Sequence, residues 1–306
     1  MATGVSSSSA TAALTCWQRW VYAHHPDYNI VPKTLGPALT RGISGHSVLE
    51  AFYAAIYDGA TIKSARKDAK EELLDLALTA GEEGDPIKAQ VLSELSDTLE
   101  YYFDYYSDDI ETWDILSVEL RQDMPLLDDS VYLPSRLDLV AKARKGKYKG
   151  EVHPVDHKFV YDFWPEDLLT LNTQMPLYIA TTRHQFPNEI VKRAVVNQIR
   201  YRFKDSDKVP LRERPESDVF RRDVITPTAN EILVTLEDHT LVAKNIARYM
   251  QIPAKDLKLP RAITKPNCEY CHYTTLCMVE RRGDDPKHLI QAQFKKNDYG
   301  YDERTD

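Results

Sequence analysis

The sequence predicts a mixed α/β protein: a β-sheet flanked by helices, with a helical insertion ahead of it and a cysteine-containing region near the C-terminus. Apolar residues follow helical spacing up to about residue 106. From Trp113 they alternate with polar residues, as in Leu116, Val118 and Leu120, which is typical of a half-buried strand. Helical spacing returns after three such strands, so helices and strands share a core.

The composition is that of an ordinary folded protein. Of its 306 residues, 42% are hydrophobic and 28% are charged, which supports a sizeable buried core. No apolar run is long enough to cross a bilayer, and the Ser-rich N-terminus has no basic leader. We expect an intracellular, cytoplasmic protein without a membrane segment, in which residues 1–9 form a disordered tail.

The apolar pattern defines the elements in order. Helices are predicted at residues 10–25, 43–58, 64–80 and 86–106, strands at 113–121, 131–141, 151–161 and 190–202, and further helices at 165–184 and 230–250. Gly146 predicts a hairpin turn between the second and third strands, and Thr228 with Glu231 forms a capping box before the last helix. Residues 205–223 are predicted to be a loop.

These elements give one domain over residues 10–285. It comprises a helical part (40–110), a strand-rich core (111–204) and a C-terminal helix with the cysteines (226–280), followed by a polar tail at 286–306.

The charge is acidic overall but unevenly distributed. A formal net charge of −8 argues against a nucleic-acid partner. Basic residues nevertheless form three clusters. The first lies in the predicted hairpin and consists of Lys142, Arg144, Lys145, Lys147 and Lys149. The second consists of Arg193, Arg200, Arg202 and Lys204, and the third of Arg212, Arg214, Arg221 and Arg222. A locally basic groove is therefore compatible with DNA, bound in a salt-sensitive way.

The strongest chemical signal lies on the two strands that flank this hairpin. Side chains two apart on a strand share a face, so Asp156 and Lys158 project together and His157 points away. Pairing of the strands would bring Asp138 to the same place. Two carboxylates hold Mg²⁺ or Mn²⁺ through oxygen, and a lysine orients water or neutralises charge on a phosphate. Taken alone, the pattern is weak and is more typical of a solvated strand face.

In their order along the chain these residues resemble the PD-(D/E)XK nucleases of the RecB type, especially the CRISPR-associated RecB-like exonucleases with an iron–sulfur cluster. The resemblance covers about residues 16–277 and implies a restriction-endonuclease-like sheet. It also implies that His46, which follows Gly45 on an early helix, is a further metal ligand beside Asp138 and Asp156. An imidazole ligand favours Mn²⁺.

The resemblance implies further roles near the lysine strand. Gln174 and Tyr178, four apart on the following helix, would position substrate or Lys158. Glu119 resembles an early acidic position of the nuclease core. The structural alternatives are a core tyrosine, a surface glutamine and a solvent-facing or salt-bridged glutamate. Pro176 fits this helix only near its start or at a kink.

The four cysteines have the spacing of a metal site. Cys268, Cys271 and Cys277 lie close together in the sequence, and Cys16 is near the other end. A disulfide framework is disfavoured without a secretory signal. The layout resembles the iron–sulfur nucleases, and four thiolates suit a [4Fe–4S] cluster or, alternatively, tetrahedral zinc. Either would close nearly the whole chain into a loop and so stabilise the fold.

The sequence therefore predicts a metal-dependent DNA exonuclease that acts on strand ends in recombination, repair or phage DNA processing. The basic hairpin would guide the DNA backbone, and recombination or helicase proteins are candidate partners. Exonuclease activity rests on family analogy. The alternatives are an endonuclease of the same superfamily, a non-catalytic DNA-binding or adaptor subunit of a larger complex, and a zinc-stapled structural protein.

Overall fold

The structure is a computed structural model that describes residues 2–203 and 209–297. Residue 204, at the end of the predicted strand-rich core, and the predicted tail beyond residue 297 lie outside the described residues.

The N-terminal part of the chain is mainly helical. It contains β1 (Thr3–Gly4), α1 (Ser7–Thr15), α2 (Trp17–His24), β2 (Ile30–Pro32), α3 (Pro37–Tyr57), α4 (Ile62–Glu83), α5 (Pro86–Tyr105) and α6 (Asp109–Thr112). The first predicted helix is wrong in one respect: Cys16 is extended (φ −167°, ψ 117°) and divides it into α1 and α2. The predicted disordered tail differs too, because β1 pairs with a later strand and Ser6 caps α1.

A mixed sheet follows, as predicted. Its strands are β3 (Trp113–Pro125), β4 (Val131–Ala143), β5 (Val152–Val160), β6 (Ala194–Arg200) and β7 (Phe220–Ile225). The order is β1-β4-β5-β6-β7, with β3 also on β4. β5 and β6 are parallel, whereas β4 with β5 and β6 with β7 are antiparallel. Helices flank this mixed sheet, which is consistent with a restriction-endonuclease-like fold.

The remaining elements are helices and one short strand. They are α7 (Glu166–Thr170), α8 (Gln174–Gln185), α9 (Glu216–Val219), α10 (Ala229–Tyr249), α11 (Lys265–Glu269), α12 (Thr274–Arg282), α13 (Lys287–Gln293) and β8 (Phe294–Lys296). The predicted loop at 205–223 is wrong in its second half, which contains α9 and the start of β7, and its residues 205–208 lie outside the described residues. The predicted helix at 165–184 is two helices, and Pro176 lies in the first turn of α8, where its missing N–H costs nothing.

The chain divides into two compact units. Unit 1 consists of Met1–Leu35, Asp123–Ser135 and Val234–Asp306, and unit 2 of Gly36–Gln122 and Arg136–Leu233. In unit 2, apolar side chains of α3 and α5 such as Phe52 and Leu95 are buried with Val155 and Ile199 of the sheet. In unit 1, a smaller core joins the two ends of the chain and contains Tyr22, Ile30, Tyr273, Leu276 and Phe294. Each fully buried side chain of this size contributes roughly 1.5–3 kcal/mol.

No helix within the described residues is both long enough and apolar enough to span a membrane.

Candidate active site

The register of β4 and β5 sets the two predicted carboxylates side by side. Leu139 pairs with Val155 in the antiparallel ladder, so the next step places Asp138 opposite Asp156. Directly opposite residues on antiparallel strands share a face of the sheet. The hairpin therefore brings the two aspartates together as the sequence predicts.

Lys158 lies on the same face and contacts Asp156. Its ammonium nitrogen is 2.9 Å from Oδ1 and 2.8 Å from Oδ2 of Asp156. Burial raises the pKa of Asp156, although the nearby ammonium group acts to lower it. Burial acts to lower the pKa of Lys158, but the charge of Asp156 outweighs it and raises this pKa. Buried Oδ2, although close to Lys158, has no well-aligned hydrogen bond to any described residue. This oxygen is available to a cation.

Gln174 and Tyr178 form a chain of hydrogen bonds that holds the lysine. Lys158 Nζ donates to Gln174 Oε1 at 3.2 Å, and Gln174 Nε2 donates to Tyr178 Oη at 2.7 Å. Gln174 is the first residue of α8, and its backbone N–H donates to the side chain of Asn172. The glutamine amide therefore sets the position of the ammonium group.

Gly45 allows α3 to approach β5. A Cβ atom at this position would collide with the ring of Phe159, the residue after Lys158. The close approach places His46 beside the carboxylates, with Nδ1 3.3 Å from Asp138 Oδ2. The glycine that precedes the histidine therefore has a packing role.

His46 and the backbone of His157 both stabilise the Asp138 carboxylate. Oδ2 of Asp138 accepts the N–H of His157 at 2.8 Å as well as lying beside His46. Burial acts to raise the pKa of Asp138, but His46 and His157 outweigh it and lower this pKa to about 2. Burial likewise acts to lower the pKa of His46, and Asp138 raises it overall. Asp138 is therefore ionised and ready to accept a cation.

Glu119 joins His46 and Asp138. Each of these three residues has one possible metal-ligand atom, and the three atoms lie within 4.8 Å of one another. Among the described residues, no other three His, Cys, Asp or Glu side chains come together in this way. Glu119 has a positive φ of 49° within β3, a conformation that is rare for a non-glycine residue and costs roughly 1–3 kcal/mol. It also forms an ion pair with Arg136. Burial, reinforced by Asp138, raises the pKa of Glu119 to about 7.

The predicted ligands are thus arranged in two adjoining groups. His46, Asp138 and Glu119 form one, and Asp156 is held by Lys158 in the other. An imidazole, the ionised carboxylate of Asp138 and further carboxylate oxygens from Glu119 and Asp156 suit Mg²⁺ or Mn²⁺. The residues present therefore fit the cation that the sequence predicts.

A buried polar network behind the site was not predicted. His157, whose pKa burial lowers to about 3, accepts a hydrogen bond from Asn197 Nδ2 at 2.7 Å. The hydroxyl of Tyr102 accepts hydrogen bonds from Asn197 and from Arg222. Arg222 also forms an ion pair with Asp109 in which each of two guanidinium nitrogens lies 2.6 Å from a carboxylate oxygen. Arg222 is therefore part of the interior, although its sequence cluster suggested a DNA-facing role. Its partner lies far away in the sequence, so no local pattern indicates it.

The predicted basic hairpin is largely neutralised. Lys142 contacts Glu189 at 2.8 Å, Arg144 contacts Asp114 at 2.9 Å and Lys145 contacts Glu111 at 2.8 Å. Lys147 and Lys149 are exposed. Because a strand rises about 3.3 Å per residue, Lys142 is about 13 Å from Asp138 along β4.

The four predicted cysteines, all in unit 1, line one cavity of about 220 Å³. Cys16 occupies the break between α1 and α2, and the other three lie on or beside α11 and α12. The hydroxyl of Thr274 donates to the backbone carbonyls of Cys268 and Cys271 at 2.7 and 2.9 Å and so fixes their loop. In the described chain, no three of the cysteine sulfurs lie within 4.8 Å of one another.

A family model of the PD-(D/E)XK nuclease superfamily matches residues 4–278. The chain belongs to this superfamily. It is therefore a hydrolase of the nuclease class, whose members act on DNA with Mg²⁺ or Mn²⁺. No curated protein matches the chain.

Proposed function

We propose that this protein is a DNA exonuclease in which His46, Asp138 and Asp156 hold Mg²⁺ or Mn²⁺, with Glu119 as a further ligand. The observation that carries the proposal is the cluster of His46, Glu119 and Asp138, with the Asp156–Lys158 pair on the strand next to Asp138. A bound cation supplies a lowered pKa for its water and a clamp for the scissile phosphate. A non-catalytic adaptor is disfavoured, because such a protein has no need of an intact Lys158–Asp156 pair.

The chain's own residues have separate tasks at this site. Asp156 Oδ2, which lacks an aligned hydrogen bond, would be the oxygen offered to a cation, while Oδ1 and Gln174 keep the Lys158 ammonium in place. From there Lys158 orients the attacking water or stabilises charge on the phosphate. Gln174 and Tyr178 act on the lysine rather than on the DNA.

Attack on strand ends, and a role in recombination, repair or phage DNA processing, rest on the resemblance to RecB-like nucleases. Exposed Lys147 and Lys149 would contact the DNA backbone away from the cleaved bond. Recombination or helicase proteins are the proposed partners. An endonuclease of the same superfamily is the second candidate, since the same ligands serve both reactions.

The experiment compares linear end-labelled DNA with closed circular DNA in Mn²⁺ or Mg²⁺. An exonuclease degrades the linear DNA and leaves the circle intact, whereas an endonuclease opens the circle. Asp156→Ala and Lys158→Ala should abolish cleavage, and Lys67→Ala, an exposed lysine on α4, should not. Equal degradation by all four proteins would show that a contaminant is responsible and would overturn the proposal.

For the cysteines we propose a structural [4Fe–4S] cluster, with zinc as the alternative. The proposal is supported by the four cysteines that line one cavity, since four thiolates are the ligand set of such a cluster. Iron and sulfide analysis with visible absorbance tests this. A colourless protein with one zinc per chain, or a Cys271→Ser variant as stable as wild type, would contradict it.

A further inference from the structure

Arginine side chains stack on aromatic rings at the carboxyl ends of β5 and β6. The two strands are parallel, with Val160 opposite Arg200, so the segments that follow them leave the sheet at the same edge. The stacked pairs are Arg41 on Tyr201 at 3.8 Å, Arg202 on Tyr161 at 5.7 Å, and Arg200 and Arg214 on Phe203 at 4.7 and 4.0 Å. We call these seven residues the arginine–aromatic edge.

A cavity of about 790 Å³ opens beside this edge, within unit 2. Its walls are the first turns of α3, one face of α5, residues 201–203 and parts of 209–214, with apolar contributions from Pro37, Ile87, Val91 and Leu211. The lining also includes Glu94 and Asp97. An apolar wall with two carboxylates suits the face of a flat ring better than a bare phosphate group.

The guanidinium of Arg41 is buried in the wall of this cavity. It forms an ion pair with Glu94, but its Nε makes no hydrogen bond with any described residue. Leaving a buried donor without an acceptor is unfavourable. Held by Glu94 and stacked on Tyr201, the planar guanidinium is a fixed part of the cavity wall.

The edge lies close to the active site. Lys158 is opposite Gln198 on β6, and Tyr201 is three residues further on, about 10 Å along the chain. Arg41 is five residues before His46 on α3, about 7.5 Å along the helix. Both spans are short enough for one DNA strand to run from the active site to the edge.

We propose that the arginine–aromatic edge binds the unstacked bases of a single-stranded DNA segment next to the scissile phosphate. Bases stack on aromatic rings and guanidinium planes only when they are not covered by their neighbours in a duplex. Exposed Arg202 makes no ion pair with any described residue, so its charge is available to the backbone of that strand. This inference rests on the proposed DNA substrate and adds its strandedness.

The test measures binding of labelled oligo-thymidylate and of a blunt duplex of equal length, by fluorescence anisotropy in EDTA so that no cleavage occurs. The variants are Tyr161→Ala, Arg202→Ala and Tyr201→Ala, each checked for an unchanged melting temperature. Tyr57→Ala is the matched control, because Tyr57 is also exposed but lies at the opposite end of α3. Each edge variant should weaken single-strand binding about tenfold and duplex binding less than twofold.

Single-strand binding as tight as wild type in the exposed pair Tyr161→Ala and Arg202→Ala would overturn the inference. So would an equal loss for duplex, since that indicates a general effect of charge. Hydrolysis by the wild-type protein is measured separately. If the wild type does not cleave DNA but the edge variants still lose single-strand binding, the nuclease proposal fails and this one stands.

Discussion

The side-chain oxygen of Gln174 accepts a hydrogen bond from the Lys158 ammonium group at 3.2 Å. The same ammonium contacts both oxygens of Asp156, so it is held from two sides. The amide of Gln174 is in turn fixed by Tyr178. The first residue of α8 therefore controls where Lys158 can place its charge.

Removing this contact should slow catalysis without weakening DNA binding. A hydrogen bond to a charged group contributes about 1.5–3 kcal/mol, so Gln174→Ala should lower kcat about 10- to 100-fold with little change in KM. Gln185→Ala, an exposed glutamine at the end of the same helix, is the control. A rise in KM with kcat unchanged would instead place Gln174 on the substrate.

Gly45 should be essential for the cation site, whereas Gly42 on the same helix should not. A methyl group at Gly45 collides with Phe159 and moves His46 away from Asp138, but one at Gly42 has no atom within 4 Å. Gly45→Ala should therefore weaken Mn²⁺ binding at least tenfold, and Gly42→Ala should be neutral or slightly stabilising. Combining Gly45→Ala with Phe159→Leu should restore part of the affinity. Equal Mn²⁺ affinity in the two single variants would contradict this packing role.

Glu119 should make the stability of the metal-free protein depend on pH. The pKa of Glu119 is raised to about 7 in the folded protein, so folding favours its protonated form. The free energy of unfolding should therefore fall as pH rises from about 4.5 through 7, because the folded protein must then bury a charged carboxylate. Glu119→Gln removes the cost of burying the charge. The variant should exceed the wild type by less than about 1 kcal/mol at pH 5 and by up to about 3 kcal/mol at pH 8.5. Urea unfolding in EDTA across this range would refute the prediction if the two curves ran parallel.

Asp109 should be required for folding, because it balances the buried charge of Arg222. Breaking a buried ion pair by removing one partner costs about 3–5 kcal/mol. Asp109→Asn should lower the free energy of unfolding by this amount, whereas Asp108→Asn, its exposed neighbour, should change it by less than about 0.5 kcal/mol. A small effect of Asp109→Asn would mean that the network behind His157 contributes little.

The local part of the site could be predicted from the sequence. Alternation on β5 determines that Asp156 and Lys158 share a face, and one hairpin turn then brings Asp138 opposite Asp156. Gln174 and Tyr178 are related by a single helical turn. Each of these relationships depends on residues close together in the chain.

The non-local part could not be predicted. The strand β7 begins with a buried phenylalanine but continues with two arginines, which are typical of a loop. One of them, Arg222, is buried because it pairs with Asp109, more than a hundred residues earlier in the sequence. The break at Cys16 is hidden because apolar residues on both sides keep helical spacing. The positive φ of Glu119 likewise has no signature in an alternating strand.

Mn²⁺ titration by calorimetry, paired with DNA hydrolysis on the same samples, tests the central claim most directly. His46→Ala and Asp138→Asn should lose both the binding of Mn²⁺ and the hydrolysis of DNA. Lys158→Met should retain Mn²⁺ binding and lose hydrolysis, because the lysine acts beside the cation rather than on it. Undiminished Mn²⁺ binding and hydrolysis in Asp138→Asn would contradict the proposed site.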